Sequence, residues 1–414
     1  MLVILFNMKL VFLISFIFLI DLYFYFGVIS FFEKQPFGQL IFKITYWLLS
    51  VIVYVTLIYL ILYSDKTTPS IKFNNNIIYS SLFFIFFSAK LVGCIPLITD
   101  DVLRLFKQIF NLFSSNESKF DASRLNFLRN TALFTSGFIA SSMLLGIKFG
   151  RFNFKKYFSN INIKGWNSDY KIIHLSDLHI GSFNSVKKVE EIVNIVNDQN
   201  PDLIVFTGDL VNNYYNEVLP YIDVLKKLKA KDGKYSVLGN HDYCDYVGWK
   251  RSSVKWKENF ENMKKIQCDI GFDLILNDSR VINSGTNKFN IIGVENWGAG
   301  NFNKDGDLDK AMIGVDDKLP TILLSHDPSH WRNVVLKSKY LIDLQLSGHT
   351  HGMQFGIEIP GFKWSPVSLR YKEWAGLYKE NDKQIYVNRG LGHLGYAGRV
   401  GIMPDISILN IKYC

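Results

Sequence analysis

The chain has 414 residues, room for two or three domains, and a formal charge of +9. That charge is uneven: residues 1–165 carry 16 Lys and Arg against 7 Asp and Glu, whereas residues 166–414 carry 30 of each. The neutral C-terminal part argues against a nucleic-acid partner, which needs a basic face, and Cys94, Cys244, Cys268 and Cys414 form no CxxC pair that would signal a zinc knuckle or a disulfide framework.

Residues 1–150 read as a membrane region with about four transmembrane helices. The first apolar run covers about 10–32 and contains Asp21, which either has a function there or faces a neighbouring helix. The second, "ITYWLLSVIVYVTLIYLILY" (44–63), is 20 residues without a charge, enough to cross a bilayer core. The third runs from Ile77 to about Ile98, with Lys90 placed to snorkel towards one end. The fourth, "TALFTSGFIASSMLLGI" (131–147), is shorter and richer in small residues. Basic residues beside such runs are the usual flanks of membrane helices. Buried core helices are the alternative, which this density of Phe, Ile and Leu disfavours.

"SRLNFLRN" (123–130) precedes the fourth run and resembles a twin-arginine export signal in Ser123, Arg124, Phe127 and Leu128, with Leu125 in place of the second arginine. It points to an extracytoplasmic position for everything after the fourth helix. Loop charges do not decide the orientation. "RFNFKKYFSNINIKGWNS" (151–168) reads as a basic, aromatic linker at the membrane surface.

From residue 169 to 414 the pattern changes. Short apolar runs such as "KIIHL", "DLIVF" and "KYSVL" alternate with amphipathic stretches such as "VKKVEEIVNIV", giving β-α-β-α-β, and a strand-rich half follows. A metal-ligand residue type stands after nearly every strand. "HLSDLHIG" supplies Asp177 and His179. "VFTGDLV" supplies Asp209, and "VLGNHDY" supplies Asn240, His241 and Asp242. "LLSHDP" supplies His326, and "LSGHTHG" supplies His349 and His351. Five of the eight histidines are among these ligand types, so the series is hard to attribute to chance. Within "SGHTHG", two histidines two apart on an extended strand end would point to the same side, which suits metal ligation, with two solvated loop histidines as the alternative.

D-x-H, G-D, G-N-H-D, H and G-H-x-H, in this order, resemble the calcineurin-like metallophosphoesterase family, over about residues 170–412. "GNHDY", "SHDP" and "NRGLG", with the membrane region, look most like its bacterial membrane-associated branch. The resemblance implies an α/β fold, a calcineurin-like αββα sandwich of two facing sheets flanked by helices, with two divalent metal ions at the strand ends. It implies that Asp209 bridges the metals, that Asp177, His179 and His351 complete one, and that Asn240, His326 and His349 complete the other. The two histidines of "SGHTHG" would then serve different metals. Mixed oxygen and imidazole ligands suit Mn, Fe or Zn, without choosing among them. A cation pair offsets the negative charge of a phosphoester and generates a nucleophile from bridging water, so hydrolysis proceeds by attack of a bridging hydroxide.

His241, beside a ligand, is the expected proton donor to the leaving oxygen, with further ligation or a plain loop histidine as alternatives. Asp242 is the second catalytic candidate, orienting a neighbouring side chain or capping a helix. His174 reads as a core histidine, and His330 as the start of a helix. Arg389, His393 and Arg399 of the glycine-rich "NRGLGHLGYAGR" either line a phosphate site or belong to a plain loop. The aromatic segment 352–378 is either a lid that meets lipid or ordinary surface structure. The expected function is a membrane-anchored phosphohydrolase acting on a phosphomonoester, phosphodiester or pyrophosphate, with a lipid-linked substrate favoured by the tether. A metal-binding sensor and a nuclease of the same fold are the rivals. The sensor would usually have lost a ligand, and none is missing here.

Overall fold

The computed structural model describes residues 2–63, 71–113 and 122–413. Its described residues divide into two compact units, the first built from 2–63, 78–113 and 122–145, the second from 71–77 and 146–413.

The first unit is built from helices α1 (Leu2–Val28), α2 (Pro36–Tyr63), α3 (Ile71–Asn111), which belongs to it from residue 78 on, and α4 (Ala122–Leu145). Candidate membrane spans cover Val11–Phe32, Pro36–Ile61, Asn76–Asn111 and Ser123–Gly150. α3 runs well past the expected end near Ile98, through Pro96 and the Asp100–Asp101 pair. Gly93 permits close helix packing: a Cβ there would collide with Phe24 of α1, and Ala132 of α4 lies beside it. Lys90 does not snorkel to an end. It is buried and pairs with Asp21, which also accepts from Tyr54 at 2.5 Å, while Lys90 donates to Ser50 at 3.0 Å. Bonding among themselves is how polar side chains are accommodated where water is absent. Arg124 of the export-like motif pairs with buried Asp100 at 3.0 Å, so this arginine also has a structural partner within the bundle.

The second unit holds two six-stranded sheets. The first contains β1 (Lys155–Ile163), β2 (Tyr170–Leu175), β3 (Leu203–Phe206), β4 (Lys234–Ser236) and β5 (Asp273–Leu274). The second begins with β6 (Asp278–Ser284), β7 (Asn287–Gly293), β8 (Thr321–Leu324) and β9 (Leu344–Ser347). A separate hairpin, β10 (Ile357–Ile359) and β11 (Phe362–Trp364), follows. β12 (Gly376–Glu380) and β13 (Lys383–Val387) complete the second sheet, and β14 (Asp405–Tyr413) returns to the first. The orders are β1-β14-β2-β3-β4-β5 and β12-β13-β9-β8-β7-β6. Strands β2 to β5 are mutually parallel, as are β7, β8, β9 and β13.

Strand alternation builds the layers. On β3, Leu203 and Val205 face the core between the sheets, where they meet Ile291, Ile322 and Leu346, while Ile204 and Phe206 face outward. Helices α5 (Val186–Asn197), α6 (Ile222–Leu225) and α7 (Val254–Ile270) cover that outer face through Val189, Val193, Val224 and Met263. α8 (Leu308–Ala311) and α9 (Ser329–Asn333) cover the second sheet, with Trp331 against Leu323 and Ile385. The unit is therefore the expected αββα sandwich.

The segment read as a linker departs from expectation. Residues 155–163 form β1, an edge strand parallel to β14 over nine residue pairs from Lys155–Asp405 to Ile163–Tyr413. Ile161 and Ile163 enter the inter-sheet core while Lys155, Lys156 and Phe158 stay exposed, the half-buried alternation of an edge strand.

Candidate metal centre

The expected ligands lie just past the C-terminal ends of β2, β3, β4, β8 and β9, where parallel strands release the chain into loops and open α/β sheets place their ligands. The loops interlock. Asp177 N–H donates to the Gly208 carbonyl at 2.9 Å, His179 N–H to the Asp209 carbonyl at 3.1 Å, and Gly348 N–H to the His326 carbonyl at 2.9 Å. A Cβ at Gly348 would collide with Asp177 and Ser176, so this close approach needs glycine.

Asp177, His179, Asp209, His349 and His351 all have positive φ, between 43° and 72°. Left-handed backbone is uncommon for residues other than glycine and gathers at functional sites. It also corrects the extended reading of "SGHTHG". The two rings diverge: His349 Nδ1 lies 2.9 Å from Asn240 Oδ1, whereas His351 Nε2 lies 3.3 Å from Asp177 Oδ1.

Among the described residues, three groups have ligand atoms within 4.8 Å of one another: Asp177 with His179 and His351, His179 with Asp209 and His241, and Asp209 with His326 and His349. Asp209 stands between the outer two groups. Its Oδ2 is 3.5 Å from His179 Nε2 and 3.2 Å from His326 Nε2. Asn240 Oδ1 is 3.1 Å from His326 Nε2 and joins the second group. All seven residues expected as ligands thus come together.

The donor set fits a metal. Both ring nitrogens of His179 and Nε2 of His351 are buried without a hydrogen-bond partner. Buried polar atoms left this way are costly, and a cation resolves the cost. The protonation pattern is frustrated in the same way. Burial pushes His179 down to about 3. Burial also opposes the charged forms of Asp209 and His326, yet each holds the other charged: Asp209 stays well below the usual carboxylate range, and His326 is pushed up to about 10. Outer contacts fix the rings. His326 Nδ1 donates to the Thr207 carbonyl at 2.7 Å. His349 Nε2 meets Tyr371 Oη at 3.0 Å and Asp327 Oδ2 at 3.4 Å. Such second contacts orient ligands.

His241 is half-buried, and its Nδ1 donates to the Asn212 carbonyl at 2.7 Å, a bond that does not engage Nε2. Glu217 braces that loop, accepting from Asn212 N–H at 2.7 Å, Asn213 N–H at 2.9 Å and Tyr214 N–H at 3.0 Å. Asp242 does something other than orient a side chain or cap a helix. Fully buried, it accepts from the N–H groups of Asp209, Leu210, Val211 and Gly239 at 2.8–3.3 Å. It shapes the backbone that carries Asp209 and Asn240.

The weaker candidates separate. His174 is a core histidine on β2, 2.8 Å from Thr207 Oγ1, and His330 lies in α9. Arg389 is taken up by Glu358 and Asp405, and His393 is buried against Phe152. Arg399 reaches the site from behind, 3.2 Å from His351 Nδ1. Sequence reading missed Asp327, Tyr371, Tyr246 and Glu217. Tyr246 accepts from Asn240 Nδ2 at 2.7 Å, and its ring lies 4.5 Å from that of His241. Asp327 and Tyr246 sit one and six residues after the expected ligands His326 and Asn240, the only sequence signal they give.

Comparison with known proteins agrees with this geometry. Residues 6–151 match the model of a probable calcineurin-like phosphoesterase transmembrane domain, and residues 170–353 match the calcineurin-like phosphoesterase domain. The uncharacterized metallophosphoesterase YkuE of Bacillus subtilis is 32% identical over 248 residues, 59% of this chain and 79% of that protein. YkoQ of the same organism is 32% identical over 244 residues, 58% of this chain and 83% of that protein. The phosphodiesterase YaeI of Escherichia coli is 28% identical over 244 residues, 58% of this chain and 82% of that protein. With the αββα sandwich, the clustered ligand types and the four apolar helices, these matches show that the chain belongs to the calcineurin-like metallophosphoesterases and is a membrane-associated phosphoesterase.

Proposed function

We propose that the chain is a dimetal phosphohydrolase whose substrate is a lipid-linked phosphoester or pyrophosphate. The observation that carries the dimetal reading is the placement of one carboxylate oxygen, Asp209 Oδ2, within 3.5 Å of a histidine from each group. Asp177, His179 and His351 would hold one cation, Asn240, His326 and His349 the other, with Asp209 shared. Two divalent ions of the Mn, Fe or Zn kind supply Lewis acidity that offsets phosphoryl charge and acidifies water. His241 holds a proton at Nε2 for the leaving oxygen, its ring fixed by the Asn212 carbonyl. Asp242 and Glu217 keep the two loops in place. The covalent link to four apolar helices supports a substrate presented by the bilayer, because a soluble substrate needs no such tether.

The test uses the full chain in nanodiscs with bis(p-nitrophenyl) phosphate and p-nitrophenyl phosphate, Mn²⁺ present or chelated. Turnover that chelation removes and Mn²⁺ restores is expected. Stoichiometric metal with no turnover of either ester would make the protein a sensor. For the substrate class, a phosphoester lipid in the bilayer competes with its deacylated headgroup. Preference for the headgroup would end the lipid-linked reading.

A further inference from the structure

The β10–β11 hairpin is built inside out. Ile357 lies opposite Trp364, Glu358 opposite Lys363, and Ile359 opposite Phe362. Residues directly opposite share a face and successive ones alternate, so four apolar side chains lie on one face and the charged pair on the other. The charged face is the one held to the protein. Glu358 accepts from Arg389 Nε at 3.0 Å, and Lys363 donates to the Ala375 carbonyl with its Nζ 4.4 Å from the Tyr378 ring centroid. The apolar face points away: Ile357, Ile359, Phe362 and Trp364 are 42–58% exposed. A hairpin on a water-soluble domain has the opposite arrangement, and an outward apolar cluster marks a binding surface.

We propose that this face rests in the surface of a lipid bilayer. Three observations select that occupant. First, the hairpin shares its anchor with the end of the last candidate span. Gly356, at the hairpin root, donates its N–H to the Val400 carbonyl at 2.9 Å, and Arg399 N–H contacts the carbonyl of Gly146 at 3.3 Å. Gly146 opens the helical turn Gly146–Gly150 in which the span Ser123–Gly150 ends. The root and the span end are thus bound to two consecutive residues. Second, the chemistry is interfacial: a Trp and a Phe stand among isoleucines, with the basic Arg370 and Lys372 exposed nearby in the chain. Aromatic residues favour the headgroup level, and basic side chains favour anionic lipids. Third, the surface leads to the metal centre. Gly356 follows His351 by five residues, and the Arg399 side chain lies 3.2 Å from His351 Nδ1. The proposal rests on membrane association, not on any particular substrate.

The test uses the full chain in nanodiscs of anionic phospholipid, in a Cys268→Ser, Cys414→Ser background, since Cys94 and Cys244 are buried. Ile359→Cys and Phe362→Cys each carry an environment-sensitive fluorophore. Ile313→Cys, 76% exposed elsewhere on the domain, is the control. The hairpin probes are expected to shift to the blue and to be quenched by spin-labelled lipid, the control not. Hairpin probes that stay open to aqueous iodide and untouched by labelled lipid would overturn the proposal. Shielding from iodide without lipid quenching would overturn it too, assigning the face to a protein partner or a second copy. Fluorescence reads no turnover, so failure here is distinct from failure of the phosphohydrolase reading.

Discussion

Oδ2 of Asp209 lies 3.2 Å from Nε2 of His326, and the same oxygen is 3.5 Å from His179 Nε2. A single atom therefore addresses both histidine groups. Asp209→Asn keeps the shape and removes the shared negative charge. On the dimetal reading, metal content is expected to fall together with turnover, because two cations would lose the charge they share. Elemental analysis and activity both near wild type would refute the shared-carboxylate assignment.

The convergence of the residues with ligand-type side chains was legible in the sequence because each follows a short apolar strand, and the C-terminal ends of parallel strands converge whatever the loops do. What holds those residues was not. Asp242 and Glu217 act through backbone N–H groups, a role that residue type alone does not announce. Tyr371 reaches His349 from a loop 22 positions on. The fold was legible where contacts are local, as in β2, α5 and β3. It was not legible for β1, whose partner β14 lies 250 residues away and whose lysines and aromatics mimic a linker. Lys90 was misread because its partner, Asp21, is on another helix.

Asp242 separates scaffolding from chemistry. In Asp242→Asn one oxygen that accepts two backbone N–H groups becomes an amide N–H₂ that faces them. A loss of roughly 1–3 kcal/mol of stability is expected, the cost of stranding buried donors. Metal affinity is expected to weaken with it, since Asp209 and Asn240 ride on the affected loops. Sensitivity of the remaining activity to the leaving group should match wild type. A changed sensitivity would place Asp242 in proton transfer instead.

The side of the membrane on which the phosphoesterase domain lies is open to direct measurement. The "SRLNFLR" stretch predicts the extracytoplasmic side, although Arg124 also serves Asp100. A reporter that functions only outside the cytoplasm, fused after Cys414, is expected to be active. Activity confined to a cytoplasm-only reporter at the same site would reverse the prediction and move the substrate to the inner leaflet.

His241 is the one histidine near the centre whose contacts allow two roles. Its ring belongs to a ligand-spaced group with His179 and Asp209, yet its Nδ1 is taken by the Asn212 carbonyl. If Nε2 supplies a proton to the leaving oxygen, His241→Ala retains its metals and loses about 10²–10⁴-fold in rate, the usual worth of a positioned acid. The loss should shrink for nitrophenolate, which departs without protonation, and stay large for alkyl esters, whose alkoxides are strongly basic. A uniform loss across leaving groups would mean that the ring positions the phosphoryl group. Loss of a metal would make His241 a ligand. The acid would then be sought among groups that can still reach the leaving oxygen, and buried His393, packed against Phe152 and Phe183, is poorly placed for that part.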